Sequence, residues 1–229
     1  MNTIVITPEA GACQRWNHQL ASWRRVSEGG FDQRRYDVEP ITEDVARSYI
    51  LTHHYSGSYP AAKQRYGLFE AGELVGVAVL SVPARAAVLT TVFPDLEPYV
   101  ESVELGRLVL EDRVPANAES WMLAQVFRQA AEKGIRGVVS FSDPVARTTL
   151  DGTAVFPGHL GIIYQSSNAR FLGRSKARRL TLLPNATVFS DRARTKILAQ
   201  TRGSAVGGVA PATIAAPTTV ATIPYFACT

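Results

Sequence analysis

Short segments in which apolar and polar positions alternate recur along the chain and predict the strands of a sheet. Residues 64–82, QRYGLFEAGELVGVAVLSV, hold two such segments on either side of Ala71-Gly72, so we expect a β-hairpin with a tight turn. The same character predicts further strands over residues 36–41, 102–112, 135–143 and 179–183.

Apolar residues at helical spacing occupy the segments between these strands. Thr42 can cap a helix that ends near residue 53, and a longer helix over residues 119–133 is closed by Gly134. A third helix is predicted over residues 159–168. Strands that alternate with helices in this order predict a mixed α/β domain.

The two ends of the chain have a different character. Residues 1–35 show no sustained period, and we interpret them as an extension with one helix, from Ala12 to Val26. Beyond residue 202 the composition changes to Ala, Gly, Thr, Val and Pro, which predicts a flexible, low-complexity tail over residues 203–229. The main domain is therefore expected over residues 36–202.

Composition narrows the class of protein. The 229 residues are 46% hydrophobic, enough for one substantial core, and contain no run of about 18 apolar residues that would suggest a membrane span. The N-terminus lacks the features of a secretory signal, so we expect a cytoplasmic protein. Cys13 and Cys228 lie at opposite ends, in segments expected to be poorly ordered, and indicate neither a disulfide framework nor a cysteine-based metal site.

Charge leaves two interpretations open. The chain has 24 Lys and Arg residues against 20 Asp and Glu, and almost all of the basic residues are Arg. Arg suits bidentate contacts to phosphate, which favours nucleic acid or a phosphorylated cofactor as the ligand. An Arg-rich composition that comes from a GC-rich coding sequence is the alternative.

The first candidate site is the loop that leads into the helix at residue 119. Backbone N–H groups at a helix N-terminus can bind an anion, and Asn117 and Ser120 can add side-chain hydrogen bonds, although both residues are also common helix caps. In the preceding strand Glu104 and Arg107 interrupt apolar residues. Being three positions apart, they are expected on opposite faces of the strand.

Other candidates follow the first helix and the fourth predicted strand. His54 and Tyr55 lie in a polar loop after the helix. The alternative is a structural role, because a histidine near a helix C-terminus interacts favourably with the helix dipole. Asp143 ends the strand, where open sheets bind ligands, or begins a turn. His54, Asp143 and His159 are the set of side chains suited to a metal site of His and carboxylate ligands, and Tyr164 and Asn168 share one face of a helix.

A basic cluster follows this helix. It consists of Arg170, Arg174, Lys176, Arg178 and Arg179, and Phe171 lies beside it. Such a cluster suits phosphate contacts, and the aromatic ring suits an unstacked base. A solvated loop is the alternative interpretation.

Several of these segments, taken in order, resemble the Mom family of phage DNA-modification proteins. The resemblance covers about residues 36–196 and rests on HHYSGS, GVAVLSVP, VELGRLVLED with PANAESWMLA, VVSFSD and GHLGIIYQSSNARFLGR. It implies a fold related to the GCN5-type N-acetyltransferases (GNAT), with a mixed, mostly antiparallel twisted sheet flanked by helices. It also implies an enzyme that converts adenine in DNA to a carbamoylmethyl-type derivative and so shields phage DNA from restriction.

Carried onto this chain, the resemblance implies two groups of functional residues. Arg107 and Ser120 would belong to the region of an acyl-coenzyme A donor such as acetyl-CoA, and we expect Asn117 and Asn168 to add to it. His54, Tyr55, Asp143 and Tyr164 would form the reactive pocket, where the first three are the expected ligands of an iron ion.

Two features depart from the family pattern. Residues 113–120 lack the glycine-rich pyrophosphate loop of ordinary acetyltransferases, and the tail after Gly203 differs from the family's continuation. Acetyl transfer alone would leave a carbonyl carbon on the amine, whereas the family's product is attached through a methylene carbon. A metal centre or an amino-acid-derived donor would supply the missing chemistry.

The resulting hypothesis is a transferase that flips adenine out of double-stranded DNA into a pocket. Tyr164 would donate a proton or hydrogen bond, and His54, Tyr55 and Asp143 would hold a metal or orient the base. The DNA phosphates would be contacted by four basic residues, Arg170, Arg174, Lys176 and Arg178. We also consider a homodimer as the oligomeric state. The alternatives are an acetyltransferase that acts on a small amine or protein, and a DNA-binding module without catalysis.

Overall fold

A computed structural model provides the architecture of the chain. It describes residues 12–18, 20–149, 151–152, 154–156, 158–159, 161–175, 178–182, 188–189, 218–221 and 224–228.

A seven-stranded sheet with flanking helices forms the centre of the described structure. Its strand order is β10-β14-β7-β6-β5-β4-β3. The strands of this sheet are β3 Tyr36–Pro40, β4 Ala62–Glu70, β5 Glu73–Ser81, β6 Ser102–Leu110, β7 Gly137–Phe141, β10 Arg170–Arg174 and β14 Pro224–Cys228. The helices are α1 Glu43–His53, α2 Ala87–Thr90, α3 Ala118–Glu132 and α4 Ile162–Ser166. The predicted fold class, a mixed and mostly antiparallel sheet flanked by helices, is confirmed.

Smaller ladders lie outside this sheet. They are formed by β1 Ala12–Asn17 with β2 Leu20–Arg25, by β8 Arg147–Thr148 with β9 Ala154–Phe156, and by β11 Arg178–Leu182 with β12 Val188–Phe189 and β13 Thr218–Ala221. Among the described helices, none has the length and apolar character needed to cross a membrane.

The β4–β5 hairpin confirms the turn predicted at Ala71-Gly72. Both residues have positive φ, 50° and 84°, and the strands pair from Glu70 with Glu73 onward. Left-handed conformations at both central positions match the right-handed twist of the flanking strands, which is why the residue pair stops one strand and begins the next.

The sheet divides between β6 and β7, which pair in parallel. Their register begins at Ser102 with Gly137 and ends at Leu105 with Ser140. Beyond this point β6 continues to Leu110 paired with β5 alone. Among the described residues, no strand pairs with the edge of β6 that faces β7 from residue 106 onward, and the candidate pocket described below lies there.

A bulge at Gly106 changes the side-chain alternation of β6. Arg107 pairs with Val79 and Leu105 with Leu80, so Gly106 is the extra residue. A Cβ atom at this position would overlap the Ser81 side chain. Because Ser81 and Val79 are two positions apart on β5, their partners Glu104 and Arg107 share one face. The expectation that these two side chains lie on opposite faces was wrong.

The core has a layer on each face of the sheet. Helix α3 buries Met122, Leu123 and Val126 against one face, and α1 buries Ala46 and Ile50 against the other. At about 25 cal/mol for each Å² of apolar surface removed from water, this burial is the main stabilisation of the fold.

The N-terminal segment differs from the prediction. The expected helix from Ala12 to Val26 is wrong, because β1 and β2 form an antiparallel hairpin in which Ala12 pairs with Arg25. Arg15 and Trp16 of β1 are both buried, at 2% and 4% exposed, and Trp16 packs with the α1 layer, while Leu20 at the start of β2 is 69% exposed. The segment is therefore a short antiparallel ribbon rather than a helix.

The C-terminal segment also differs. Residues 218–221 and 224–228 form β13 and β14, and β14 pairs with both β7 and β10 inside the main sheet. The flexible tail predicted for residues 203–229 is therefore wrong for these two strands, and residues 203–217 lie outside the described part. Cys13 and Cys228, expected in poorly ordered segments, are free thiols within β1 and β14.

The predicted third helix is shorter than expected. It spans Ile162–Ser166, because Gly161 before it and Asn168 after it both adopt positive φ, 72° and 60°. A left-handed residue cannot continue a right-handed helix, so these two positions set its ends.

Candidate active site

A pocket opens where β6 and β7 separate. Its cavity volume is about 50 Å³, and the pocket is partly open to solvent. Its walls come from β1, the end of α1, residues 106–110 of β6, Phe141 and α4. The side chains that bring polar chemistry to it are Gln14, Arg15, His54, Tyr55, Arg107, Glu119, His159 and Tyr164.

The C-terminal end of α1 delivers His54 and Tyr55 to this pocket. His54 is 5% exposed and its ring stacks on that of Tyr55, with ring centres 4.3 Å apart. Tyr55 is packed in turn against Trp16 and Phe156, at 4.5 and 4.8 Å between ring centres. Aromatic packing on three sides fixes both side chains, as a binding pocket requires.

Arg107 lies beside them because of the bulge. Its Nε donates to the Ser58 carbonyl at 2.9 Å, and Nη2 donates to Ser58 Oγ at 2.8 Å. Two hydrogen bonds to one residue hold the guanidinium plane in a defined orientation. The loop that follows α1 and the middle of β6 are thereby joined at the pocket.

Tyr164 and His159 form the opposite wall. Tyr164 is 7% exposed, and its hydroxyl donates to the Phe141 carbonyl at 3.3 Å. The His159 ring meets it edge to face, with ring centres 5.6 Å apart, and the His159 backbone N–H donates to the Asp143 carbonyl at 2.6 Å. His159 Nδ1 is buried without a hydrogen-bond partner among the described residues.

Burial sets the protonation of the pocket. It raises the pKa of Tyr55 to about 12 and also raises the pKa of Tyr164, so both hydroxyls keep their protons at neutral pH. Burial lowers the pKa of His159 to about 4, and burial, Arg107 and His159 together lower the pKa of His54. The pocket therefore presents neutral rings and hydroxyl donors beside the Arg107 cation.

Glu104 is the carboxyl group nearest to this cation on β6. Burial raises its pKa, and Arg107 opposes that shift. Sequence reasoning singled out Glu104 but gave it no role, since the bulge that brings it to the face of Arg107 cannot be seen in the alternation of residues.

Asp143 lies outside the pocket lining. Its carboxylate accepts from Arg147 and from the Val145 backbone N–H, while Arg147 stacks over the Phe156 ring at 4.5 Å. Asp143 thus organises the loop that carries Phe156 and His159 to the pocket.

The described residues do not fit the predicted metal site. No group of three His, Cys, Asp or Glu side chains in the described ranges lies close enough to hold a metal ion. Within the predicted set, Asp143 is committed to Arg147 and His54 Nδ1 accepts hydrogen bonds from Ser56. The prediction that His54, Tyr55 and Asp143 bind iron is therefore not supported by this arrangement.

The predicted donor region is separated in the structure. Arg107 lines the pocket, but Ser120 Oγ donates to the Asn117 carbonyl at 3.0 Å inside the first turn of α3. Asn117 and Asn168 are exposed, and the latter is the left-handed residue that follows α4. Only Arg107 of these four residues faces the pocket.

Arg15 covers the loop before α3 and was missed by the sequence reasoning. It is 2% exposed, forms an ion pair with buried Glu119, and donates to the carbonyls of residues 111 and 114 at 2.7 Å and of residue 115 at 3.0 Å. The neighbouring Gln14 donates to the Gly158 carbonyl at 2.6 Å. β1 therefore spans the opening from the β6–α3 loop to the loop that precedes α4.

The basic cluster is described in part. Arg170 and Arg174 are exposed on β10, which is the edge strand of the main sheet, and Phe171 between them is 56% exposed. Lys176 lies outside the described residues, and Arg178 is described only as a backbone position of β11. Strand β10 thus presents two arginines and an aromatic ring to solvent.

Comparison with known proteins gives relatives at two levels of similarity. Residues 35–205 match the model of the Mom protein family. The methylcarbamoylase mom of Escherichia phage Mu is 30% identical over 152 residues, which are 63% of this chain and 56% of that protein. The chain thus spans about half the length of the curated relative that it matches.

Solved acetyltransferases are more distant. An IAA acetyltransferase from Bacillus cereus ATCC 14579 is 10% identical, with a TM-score of 0.43, and the match covers 84% of this chain and 97% of that one. The aminoglycoside 6'-N-acetyltransferase from Enterococcus faecium is also 10% identical, with a TM-score of 0.43 and coverage of 84% and 96%. The family match includes the residues that bring His54, Tyr55, Arg107 and Tyr164 to one pocket, and by that match this chain belongs to the Mom protein family.

Proposed function

We propose that this protein is a transferase that modifies adenine in double-stranded DNA, adding a carbamoylmethyl-type group to its exocyclic amine. The observation that carries the proposal is the pocket at the divided sheet, whose lining belongs to the family-matched segment except for three residues of β1. The related protein of phage Mu, a methylcarbamoylase by name, supports the same chemistry. In a host cell such a modification would protect phage DNA from restriction.

The pocket suits a flipped base better than a charged small molecule. Its floor is aromatic, and hydroxyls and imidazoles that burial keeps neutral lie beside the Arg107 cation and the Arg15–Glu119 ion pair. An unstacked adenine is uncharged and planar, so it can pack against rings while its edge accepts and donates hydrogen bonds. Duplex DNA must release the base first, which costs a few kcal/mol.

Each polar residue then has a role that its environment permits. Tyr164 keeps its proton at neutral pH and donates a hydrogen bond to the reacting groups, and Tyr55 and His54 orient the base. Arg107 is the cation that stabilises negative charge on the leaving part of the donor. Asp143 acts through the loop it holds rather than on the substrate.

The donor is proposed to be an acyl-coenzyme A or a related molecule, as the resemblance to acetyltransferases implies. Attack of the amine on the thioester carbonyl of an acyl-coenzyme A expels coenzyme A and leaves an amide, whereas the family's product is attached through a methylene carbon. The related donor must therefore carry a leaving group on the methylene carbon of its carbamoylmethyl unit, as an amino-acid-derived donor could. The N–C bond then forms while the bond to the leaving group breaks, and the amine loses a proton. No residue of the described site is assigned to a metal.

Analysis of nucleosides by mass spectrometry tests this proposal. DNA from cells that express the chain should yield a modified deoxyadenosine that is absent from cells with an empty vector. Unmodified adenine from cells that contain soluble, folded protein would refute the proposed function. The mass of the added group would identify the finer chemistry.

A second candidate is an acetyltransferase that acts on a small amine or a protein. The parallel pair that separates after Leu105 favours it, since the unpaired edge of β6 offers backbone groups to an extended donor. This candidate requires turnover of acetyl-CoA without DNA. Release of free coenzyme A, measured with and without duplex DNA, separates the two functions.

A further inference from the structure

A chain of hydrogen bonds connects Arg107 to His54 through two serines. Arg107 Nη2 donates to Ser58 Oγ at 2.8 Å, and Ser58 Oγ donates to Ser56 Oγ at 3.3 Å. Ser56 Oγ lies 2.9 Å from His54 Nδ1. The Arg107 guanidinium and the Ser58 hydroxyl donate along this chain, whereas the Ser56 hydroxyl also lies 3.5 Å from the Ser58 carbonyl, so the hydroxyls alone do not fix which nitrogen of His54 carries the proton.

The backbone of Ser56 fixes the end of this chain. Its N–H donates to His54 Nδ1 at 3.1 Å, inside a turn that the Gly57 N–H closes on the His54 carbonyl at 3.0 Å. An N–H group cannot accept a hydrogen bond, so Nδ1 must offer its lone pair to Ser56. A proton on Nδ1 would place two donors against each other.

A neutral imidazole with an unprotonated Nδ1 has its proton on Nε2. The Nδ1 side of the His54 ring faces Ser56, and the ring itself lines the pocket. Nε2, on the far side of the ring, is then the nitrogen that can reach a substrate. Zinc and iron bind the unprotonated nitrogen of a neutral imidazole, and the other nitrogen then donates to an acceptor. At His54 the nitrogen that faces away from the pocket, Nδ1, accepts a hydrogen bond instead of donating one, so the proton is on Nε2, the nitrogen that a metal would need.

We propose that Ser56 is a positioning residue that holds His54 as the Nε2–H tautomer, so that His54 donates a hydrogen bond into the pocket and acts neither as a general base nor as a metal ligand. Ser58 and Arg107 extend the same network. The benefit to DNA modification rests on the proposed function, but the tautomer itself is a property of the protein alone. Its measurement needs neither DNA nor donor.

Nitrogen NMR of the full chain with ¹⁵N-labelled histidine measures the tautomer directly. The chain has four histidines, and the signals that disappear in His54→Asn identify those of His54. At neutral pH we expect a pyrrole-type Nε2 and a pyridine-type Nδ1. A protonated Nδ1, or an even mixture of tautomers, would overturn the proposal whether or not the protein modifies DNA.

Zinc added to the same sample gives a second readout. We expect the His54 Nε2 to keep its proton in the presence of excess Zn²⁺, whereas loss of that proton with a shift to a metal-bound signal would contradict the assignment.

Variants at Ser56 separate positioning from a structural role. Ser56→Ala keeps the backbone N–H but removes the hydroxyl, and loss of one hydrogen bond should raise the minor tautomer about fivefold. Ser56→Thr should restore the wild-type ratio, and Ser48→Ala, on the exposed side of α1, should leave it unchanged. An unchanged tautomer ratio in Ser56→Ala would contradict a role of the Ser56 hydroxyl in positioning His54.

Discussion

At the scale of single residues, burial rather than charge determines what the pocket can do. Tyr55 and Tyr164 keep their protons because burial raises their pKa values, and His54 and His159 stay neutral because burial lowers theirs. These shifts suit a site that recognises an uncharged base by stacking and hydrogen bonding. They also make the folded state sensitive to acid.

The free energy of unfolding should fall when the pH is lowered from about 6.5 toward 4. His159 has a pKa of 6.5 in an unfolded chain and about 4 in the folded protein, so the unfolded chain binds more protons between these values. The stabilisation is fully present above 6.5 and is lost as the pH falls, by up to about 3 kcal/mol. His54 contributes in the same direction.

Urea unfolding at pH 7.5 and pH 4.5 measures this loss. His159→Gln should reduce the difference between the two pH values, whereas His18→Gln, at the exposed turn of β1 and β2, should not. Equal acid sensitivity of the wild type and His159→Gln would exclude the assignment of the effect to His159.

At the scale of elements, the sequence predicts the regular parts of the fold and misses the irregular ones. Strands β3 to β7 and helices α1 and α3 follow from periodicity and from turn residues such as Ala71-Gly72 and Gly134. The bulge at Gly106 was not predicted, because it is defined by the pairing of β6 with β5, and that register cannot be read from the residues of β6 alone. The pocket depends on that bulge, so the residues of the site were predictable but their common face was not.

The two ends of the chain were missed for a different reason. β14 contains YFAC, an apolar stretch too short to separate from the low-complexity composition before it, and its place between β7 and β10 depends on long-range pairing. β1 was missed because residues 1–35 show no sustained period that would favour a strand over a helix. The hairpin signal at its turn lacks glycine, and His18 instead adopts the positive φ of 44°.

Gly106→Ala should reduce DNA modification by on the order of 100-fold while the protein still folds. The added Cβ overlaps the Ser81 side chain, so the bulge must shift and carry Arg107 with it. Gly30→Ala is the matched control, because a Cβ there meets no atom within 4 Å. Modified nucleoside per unit of folded protein is the measurement, and equal yields from both variants would contradict the role given to the bulge.

Loss of either partner of the buried Arg15–Glu119 ion pair, which attaches β1 to α3, should strongly destabilise the protein. Arg15→Met leaves Glu119 buried without its partner and should cost about 3–5 kcal/mol in the free energy of unfolding. Addition of Glu119→Gln to that variant should recover part of the loss. Arg34→Met, which breaks the exposed pair with Asp32, should have a far smaller effect because solvent screens that pair, and an equally small effect of Arg15→Met would show that β1 is loosely held.

At the scale of the whole molecule, the pocket and strand β10 belong to one sheet, and β14 joins β10 to β7 beside the pocket. Phe171 packs on Phe226 of β14, and Phe226 packs on Tyr164, at 5.6 and 5.4 Å between ring centres. An aromatic path therefore leads from the exposed edge to the reactive wall. We propose that duplex DNA lies along this edge, with a flipped base directed toward the pocket.

Arg170 and Arg174 should contribute to DNA binding through phosphate contacts. The double substitution to Ala should weaken binding at low salt and reduce the slope of log K against log salt by about two, one for each contact. Arg128→Ala, on the exposed side of α3, is the control and should leave the slope unchanged. Fluorescence anisotropy with a labelled duplex at several salt concentrations measures it, and equal slopes in all variants would place the DNA elsewhere.

The central claim is that the pocket at the divided sheet modifies adenine in DNA, and a single comparison tests it most directly. Cells express the wild type, Tyr164→Phe or Tyr36→Phe. Their DNA is digested to nucleosides, and the nucleosides are analysed by mass spectrometry. Tyr164→Phe removes one hydroxyl from the pocket, and Tyr36→Phe removes one from a buried ring on β3. We predict modified deoxyadenosine from the wild type and Tyr36→Phe and its loss in folded Tyr164→Phe. Full modification by Tyr164→Phe, or none by the wild type, would contradict the account.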